Sequence, residues 1–369
     1  MSTCTGSVAT IRWRRGVAGI ALALALSGCT TASEPRAASD ASEGERAPVV
    51  TVRVPNPSGA AADPVAADVA PEPGVYRVDP RTGEAELLLS GAGEPREPES
   101  SPDGSRLVYQ GIVPNGTTQI FVLEDGESRL LTYLRGGAAE PTWSPDGSQI
   151  AFAGALNRGR DSDIFVIRAD GSSMRVVART DEYDRRPDWS PDGSRIVFDT
   201  YGKIWLASVA DGHVTQIPNA TRQGYPVAPI WSPNGRWIAV TGYDGHTING
   251  IVHVTRLWLV RPDGTDRRPL EKGKPDFYDS QLEASWSPDG SSIAFLGGGG
   301  REALTSFELG IIDVRTGKVV YISAAPRVVD LSWSAEGFIL ASMAEAASPS
   351  PPIRGVTTGR TQDPWPGLG

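Results

Sequence analysis

Cysteine and histidine are nearly absent from this chain: Cys4 and Cys29 are its two cysteines, and His213, His246 and His253 its three histidines. So few thiols exclude a disulfide framework. So few imidazoles leave little material for histidine-based metal or acid–base chemistry. The most apolar run, residues 16–26 (GVAGIALALAL), is well short of the ~20 residues that span a bilayer as a helix. There is no G-x-S-x-G nucleophile elbow. There is no P-loop or dinucleotide fingerprint, and the glycine run 297–300 lacks the strand-to-helix context of a phosphate cradle. The net charge of −9 disfavours nucleic acid as a partner.

What is present at the N-terminus is an ordered series. Arg12, Arg14 and Arg15 precede the apolar run, and Leu26-Ser27-Gly28-Cys29 follows it. This series resembles the signal and lipobox of a bacterial lipoprotein. The resemblance implies that residues 1–28 are removed and that Cys29 carries a diacylglycerol thioether at the mature N-terminus. Such a chain carries −12, because residues 1–28 hold three arginines and no acid. Its expected place is the cell envelope, anchored on the outer side of the cytoplasmic membrane or in the outer membrane. An anchor of two or three acyl chains holds far better than one.

Residues 29–72 are rich in Ala, Pro, Glu, Ser and Asp and read as a flexible tether, with one short strand candidate at 49–54. Residues 345–369 are rich in Pro, Gly and Ser and read as a disordered tail. The folded part is expected at 73–344.

That part repeats. PTWSPDGSQIAF (141–152), PDWSPDGSRIVF (187–198), PIWSPNGRWIAV (229–240), ASWSPDGSSIAF (284–295) and LSWSAEGFILAS (331–342) share one pattern, and PESSPDGSRLVY (98–109) lacks only the tryptophan. Their markers Asp103, Asp146, Asp192, Asn234, Asp289 and Glu336 are 43, 46, 42, 55 and 47 residues apart. That is the length of a four-stranded propeller blade. Pro presets φ, Asp bonds its own turn and Gly supplies positive φ, so each motif is a strand, a turn and a second strand. The tryptophans read as wedges between blades rather than as a ligand cage.

Five hairpins follow the first five motifs, each with an Asp-Gly or Thr-Gly turn, as in DIFVIRADGSSMRVV (163–177). The sixth motif has none after it, but GVYRVDPRTGEAELLL (74–89) supplies a spare hairpin before the first. The expected fold is therefore an all-β, six-bladed propeller in which residues 74–89 complete the last blade and cover strand edges.

The repeated WSPDG motif with its hairpin resembles the TolB-like β-propeller family over residues 74–343. The resemblance implies the fold and an extracytoplasmic setting, and a fold alone does not name a function. It departs from TolB in having a lipobox and linker where TolB has an α/β domain. Similar propellers precede the hydrolase domain of prolyl-oligopeptidase-type peptidases. Without an elbow, and with 26 residues after Met343, that activity is not expected here.

Two function classes follow. The first is a non-catalytic binding or scaffold lipoprotein that docks an envelope protein, peptide or glycan on the face of variable loops. Three residues before each tryptophan position stand Glu97, Glu140, Arg186, Ala228, Glu283 and Asp330, a ring at the channel mouth that would take a cation or a Lys/Arg-rich peptide. Arg185, Asp188 and Tyr183 lie close, and Tyr225 and Tyr243 would add aromatic contact. The same ring also fits a solvated rim whose charges are partly paired. The second class is a channel-site enzyme such as a metal-assisted carbohydrate lyase. Its weak metal candidates are Asp244, His246 and His253 in the long inter-strand loop 242–253. Their spacing matches no strong motif, and neither a catalytic residue nor a cofactor is assigned.

Overall fold

The computed structural model describes residues 72–91, 93–158, 161–218, 220, 227–248, 252–270, 283–298, 307–322 and 328–343. Cys29, the strand candidate 49–54 and the segment 345–369 lie outside them. Among the described residues every regular element is a strand, and the strands form six antiparallel four-stranded sheets.

Blades 1 to 5 each run outward in chain order. Blade 2 is typical, with Ala138–Trp143 innermost, then Gln149–Gly154, Asp163–Arg168 and Arg175–Ala178. Blade 6 is composite: Val328–Trp333 and Ile339–Met343 come from the C-terminal motif, and Gly74–Val78 and Ala85–Ser90 complete it. Gly74 pairs with Met343 and Val78 with Ile339. The N-terminal hairpin thus closes the ring, as the spare hairpin implied.

The motif works as its residue types require. The turn glycines Gly104, Gly147, Gly193, Gly235 and Gly290 all have φ near +70°, where a Cβ is strained. In blade 2, Asp146 Oδ1 accepts from the Ser144 hydroxyl at 2.6 Å and the Ser148 amide at 3.0 Å. Each turn also rests on the one before: the space at Gly193, Gly235 and Gly290 is bounded by Pro145, Pro191 and Pro233 of the preceding blade.

The core lies between blades. Trp143 packs with Ile120 and Val122 of blade 1 and Ile150 and Phe152 of its own blade. Trp189, Trp231 and Trp286 fill the next three interfaces, and Trp333 packs against the fifth. Blade 1 has Ser100 at this position, and among the described residues its apolar cluster with blade 6 is the smallest, with Val75, Leu107 and Leu340 buried. Polar contacts hold that seam instead: the Ser332 hydroxyl donates to Pro98 O at 2.5 Å, and the Glu97 amide to Asp330 Oδ2 at 3.3 Å.

One expectation is corrected. Residues 242–248 and 252–253 are strand rather than loop. The second strand of blade 4 runs Ile238–Ile248 and the third starts at Val252, so Tyr243, Asp244 and His246 lie in one strand and His253 in its partner, with Thr247 paired to His253. The β-branched residues Thr247, Ile248, Val252 and Val254 favour this extended pairing over a loop.

Candidate functional site

The innermost strands of all six blades line one central cavity of about 280 Å³. Glu97, Glu140, Arg186, Ala228, Glu283 and Asp330 all line it, as the register implied. The residue two positions further along each strand also lines the cavity. These residues form a deeper ring of Glu99, Thr142, Asp188, Ile230, Ser285 and Ser332.

A bulge places the outer ring. The pairing register shifts between Arg96 and Glu99, Ala139 and Thr142, Arg185 and Asp188, and Val227 and Ile230. Inside each bulge one residue has positive φ: Glu97 at 49°, Glu140 at 58°, Arg186 at 50° and Ala228 at 49°. Each precedes a proline, whose ring disfavours the right-handed helical region for its neighbour. Glu283 and Asp330 precede Ala284 and Leu331, and they lie outside the left-handed region.

The bulge frees an amide, and the preceding blade caps it. Gln110 Oε1 accepts from the Glu140 amide at 3.0 Å, Glu140 Oε2 from the Arg186 amide at 2.7 Å, and Asp199 Oδ1 from the Ala228 amide at 3.1 Å. The deeper ring repeats the device. Glu99 Oε1 accepts from the Trp143 amide at 3.2 Å, an Asp188 carboxylate oxygen from the Trp231 amide, and Ser285 Oγ from the Trp333 amide at 2.8 Å. Trp231 and Trp333 also line the cavity, and among the described residues their indole N–H groups have no acceptor.

Charge is unevenly compensated. Arg186 Nη1 donates to both oxygens of Asp199 at 3.4 Å. Arg185 donates to Glu140. On the opposite side, Glu283, Asp330 and Glu97 occupy three consecutive blades. The carboxylates of Glu97 and Glu283 have no ion-pair partner among the described residues.

The acids respond as burial among like charges requires. Glu97 is pushed well above its ordinary range by desolvation, then by Glu140, Asp330 and Glu283. Glu283 rises to about 7, through desolvation and then Asp330. Desolvation also raises Asp330, against the Glu97 amide that hydrogen-bonds it. In the deeper ring desolvation takes Glu99 to about 8, helped by Asp188, and Asp188 to about 7. Asp199 reaches about 6 because desolvation outweighs Arg186. Burial opposes the charge of Arg186, yet Asp199, Glu140 and Glu283 hold its pKa above the ordinary value.

The outer ring is legible in the repeat, whereas Glu99 and Asp199 are not, and Asp188 stands there only as a neighbour. The trace Glu99 leaves is its place two residues past Glu97. Asp199 is a second-strand residue paired with Arg185, and its blade equivalents Gln110 and Thr241 are uncharged. Tyr225 lies outside the described residues, and the side chains of Tyr243, Asp244, His246 and His253 are not described. Among the described residues no group of three or more His, Cys, Asp or Glu side chains is placed to hold a metal ion.

A family model described as the TolB beta propeller domain matches residues 70–272, more than half of the chain. Among solved structures, a putative TolB from Agrobacterium tumefaciens is similar at 20% identity, covering 73% of this chain and 97% of its own, with a TM-score of 0.59. TolB from Acinetobacter baumannii is similar at 16% identity and a TM-score of 0.54, over 68% of this chain and 64% of its own. An oligogalacturonate lyase from Vibrio parahaemolyticus is similar at 14% identity and a TM-score of 0.50, over 75% and 81%. At these identities the likeness is one of fold. A search of curated proteins finds no match. On the family match and the six-bladed ring together, the chain belongs to the TolB β-propeller domain family.

Proposed function

We propose that the chain is a non-catalytic, lipid-anchored binding module of the cell envelope whose channel mouth captures a lysine or arginine side chain of a peptide or protein partner. One observation carries the reading: Glu97 and Glu283 line the cavity on either side of Asp330, neither makes an ion pair among the described residues, and Arg186 in the same ring offsets only part of their repulsion. Buried like charges raise one another's pKa, and an incoming cation relieves that repulsion. A glycan finds less here, since the outer ring is mostly carboxylates and the tryptophans that line the cavity, Trp231, Trp286 and Trp333, are engaged as wedges between blades. The lyase reading would draw on Glu99 and Asp188 as acid and base. Both are already acceptors for the Trp143 and Trp231 amides, which suits structural capping better than proton transfer.

The propeller meets its N-terminal segment at Gly74, next to Met343 and so on the mouth side of blade 6. A tether to Cys29 would keep the mouth near the membrane, where a partner in the envelope is within reach. Two measurements test this function. Calorimetry of the full chain against a blocked lysine peptide should show saturable binding that Glu97→Gln with Glu283→Gln removes while the melting transition is kept; unchanged binding sinks the cation site. Metabolic labelling with palmitate should mark the chain and fail in Cys29→Ala; label retained in that variant sinks the anchor.

A further inference from the structure

Beside the channel, the mouth face carries a second concavity, of about 560 Å³, between blades 1, 2 and 3. Its floor is Gly136, Gly137, Ala138 and Ala139 against Ala153 and Ala155, with no side chain longer than a methyl. A ligand backbone can therefore lie close to the protein. The small residues are required by packing: a Cβ on Gly136 would meet Ala155 at 2.6 Å, and Gly137 has φ of 99°. One wall is Tyr183, 43% exposed and edge-on to the still more exposed Tyr201 at 6.1 Å between ring centroids. Exposed tyrosines beside a cavity are the residue type that anchors partners.

The charge of this groove is opposite to that of the channel. Arg158 is exposed, makes only a 3.4 Å hydrogen bond to Asn115 O, and has no carboxylate partner among the described residues. Arg185 is half-exposed beside it. Glu140 lines both cavities, so its ion pair with Arg185 is the wall between a cationic groove and an anionic mouth.

We propose that groove and mouth are two halves of one peptide site. The partner places a lysine or arginine side chain among Glu97, Glu283 and Asp330. It lays its backbone on the glycine–alanine floor and sets an aspartate or glutamate carboxylate on Arg158. The inference rests on the reading of the mouth as a cation site and adds a carboxylate requirement to it.

Blocked peptides of lysine, a glycine spacer and glutamate, in a series of spacer lengths, would be titrated against the full chain beside their glutamine twins. At one spacing the glutamate peptide should bind about fivefold tighter. That gain should vanish in Arg158→Gln, and amide exchange should slow at residues 115–118 and 136–139. Equal binding of the twins at every spacing, or a gain that survives Arg158→Gln, overturns the groove while leaving the mouth reading standing. If no lysine peptide binds at all, both readings fall.

Discussion

Arg185 donates through Nε and Nη2 to one oxygen of Glu140, at 3.1 and 2.7 Å, while the other oxygen of Glu140 accepts from the Arg186 amide at 2.7 Å. One buried carboxylate thus joins an exposed guanidinium to a backbone bulge. The two halves of this contact should differ in weight. Arg185 is half-exposed, so Arg185→Ala should cost no more than about 1 kcal/mol. Glu140→Ala leaves the Arg186 amide without its acceptor inside the channel and should cost about 1–3 kcal/mol. Urea unfolding of the two variants checks the order, and a larger loss for Arg185→Ala would refute it.

Stability should fall as pH rises. An acid whose folded pKa is raised contributes stability that is complete below its unfolded pKa, about 4, and is lost as pH rises through the folded value. For this channel the window runs from the ordinary carboxylate range through about 7 for Glu283 and Asp188 to about 8 for Glu99. Glu99→Gln keeps an acceptor for the Trp143 amide and removes one titration. Its melting temperature should change less between pH 5 and 8 than that of the parent, a span of about 3 pH units around these values. Identical pH profiles would show that Glu99 titrates normally.

Cation capture is linked to the same protons. A lysine ammonium among Glu97, Glu283 and Asp330 favours their charged forms, so binding should release protons near neutral pH and tighten as pH rises. Calorimetry in two buffers of different ionisation enthalpy reads the proton count. Zero release, with binding intact, would place the peptide away from these acids.

Much of this was legible in the repeat. The count of blades, the closing hairpin and the outer ring all follow from strand alternation and a motif that recurs at blade spacing. Glu99 and Asp199 escaped because their burial depends on the neighbouring blade, and a single blade's sequence does not show which carboxylate will face an amide next door. The paired strands at Tyr243–Ile248 and Val252–His253 were misplaced because Gly242 and Gly245 look like loop residues, while pairing across the strands overrides that signal.

The missing tryptophan at Ser100 marks the weak interface. Trp143→Ala should cost about 3–5 kcal/mol, because a nearly fully buried wedge is removed from a well-packed interface. The seam between blades 6 and 1 has no such wedge, so it should open first in the intact protein. Amide exchange should be faster over Gly74–Ser90 than over Gln149–Arg168. Equal protection in both would mean that the polar contacts of Ser332 and Asp330 close the seam as firmly as a tryptophan closes the others.

Ala228 isolates the strain of the bulge from its chemistry. It holds φ of 49° before Pro229, as Glu97, Glu140 and Arg186 do before theirs, but its side chain carries no polar group. A non-glycine residue in this region costs about 1 kcal/mol or more, whereas glycine adopts it freely and loses only about 0.5–1 kcal/mol through unfolded-chain entropy. Ala228→Gly should therefore be neutral or slightly stabilising. Ala294→Gly, at a fully buried position outside the left-handed region, should be destabilising. If Ala228→Gly costs as much as Ala294→Gly in urea, the bulge is not strained. The left-handed turn at Glu97, Glu140 and Arg186 would then need no compensating amide caps from the neighbouring blades.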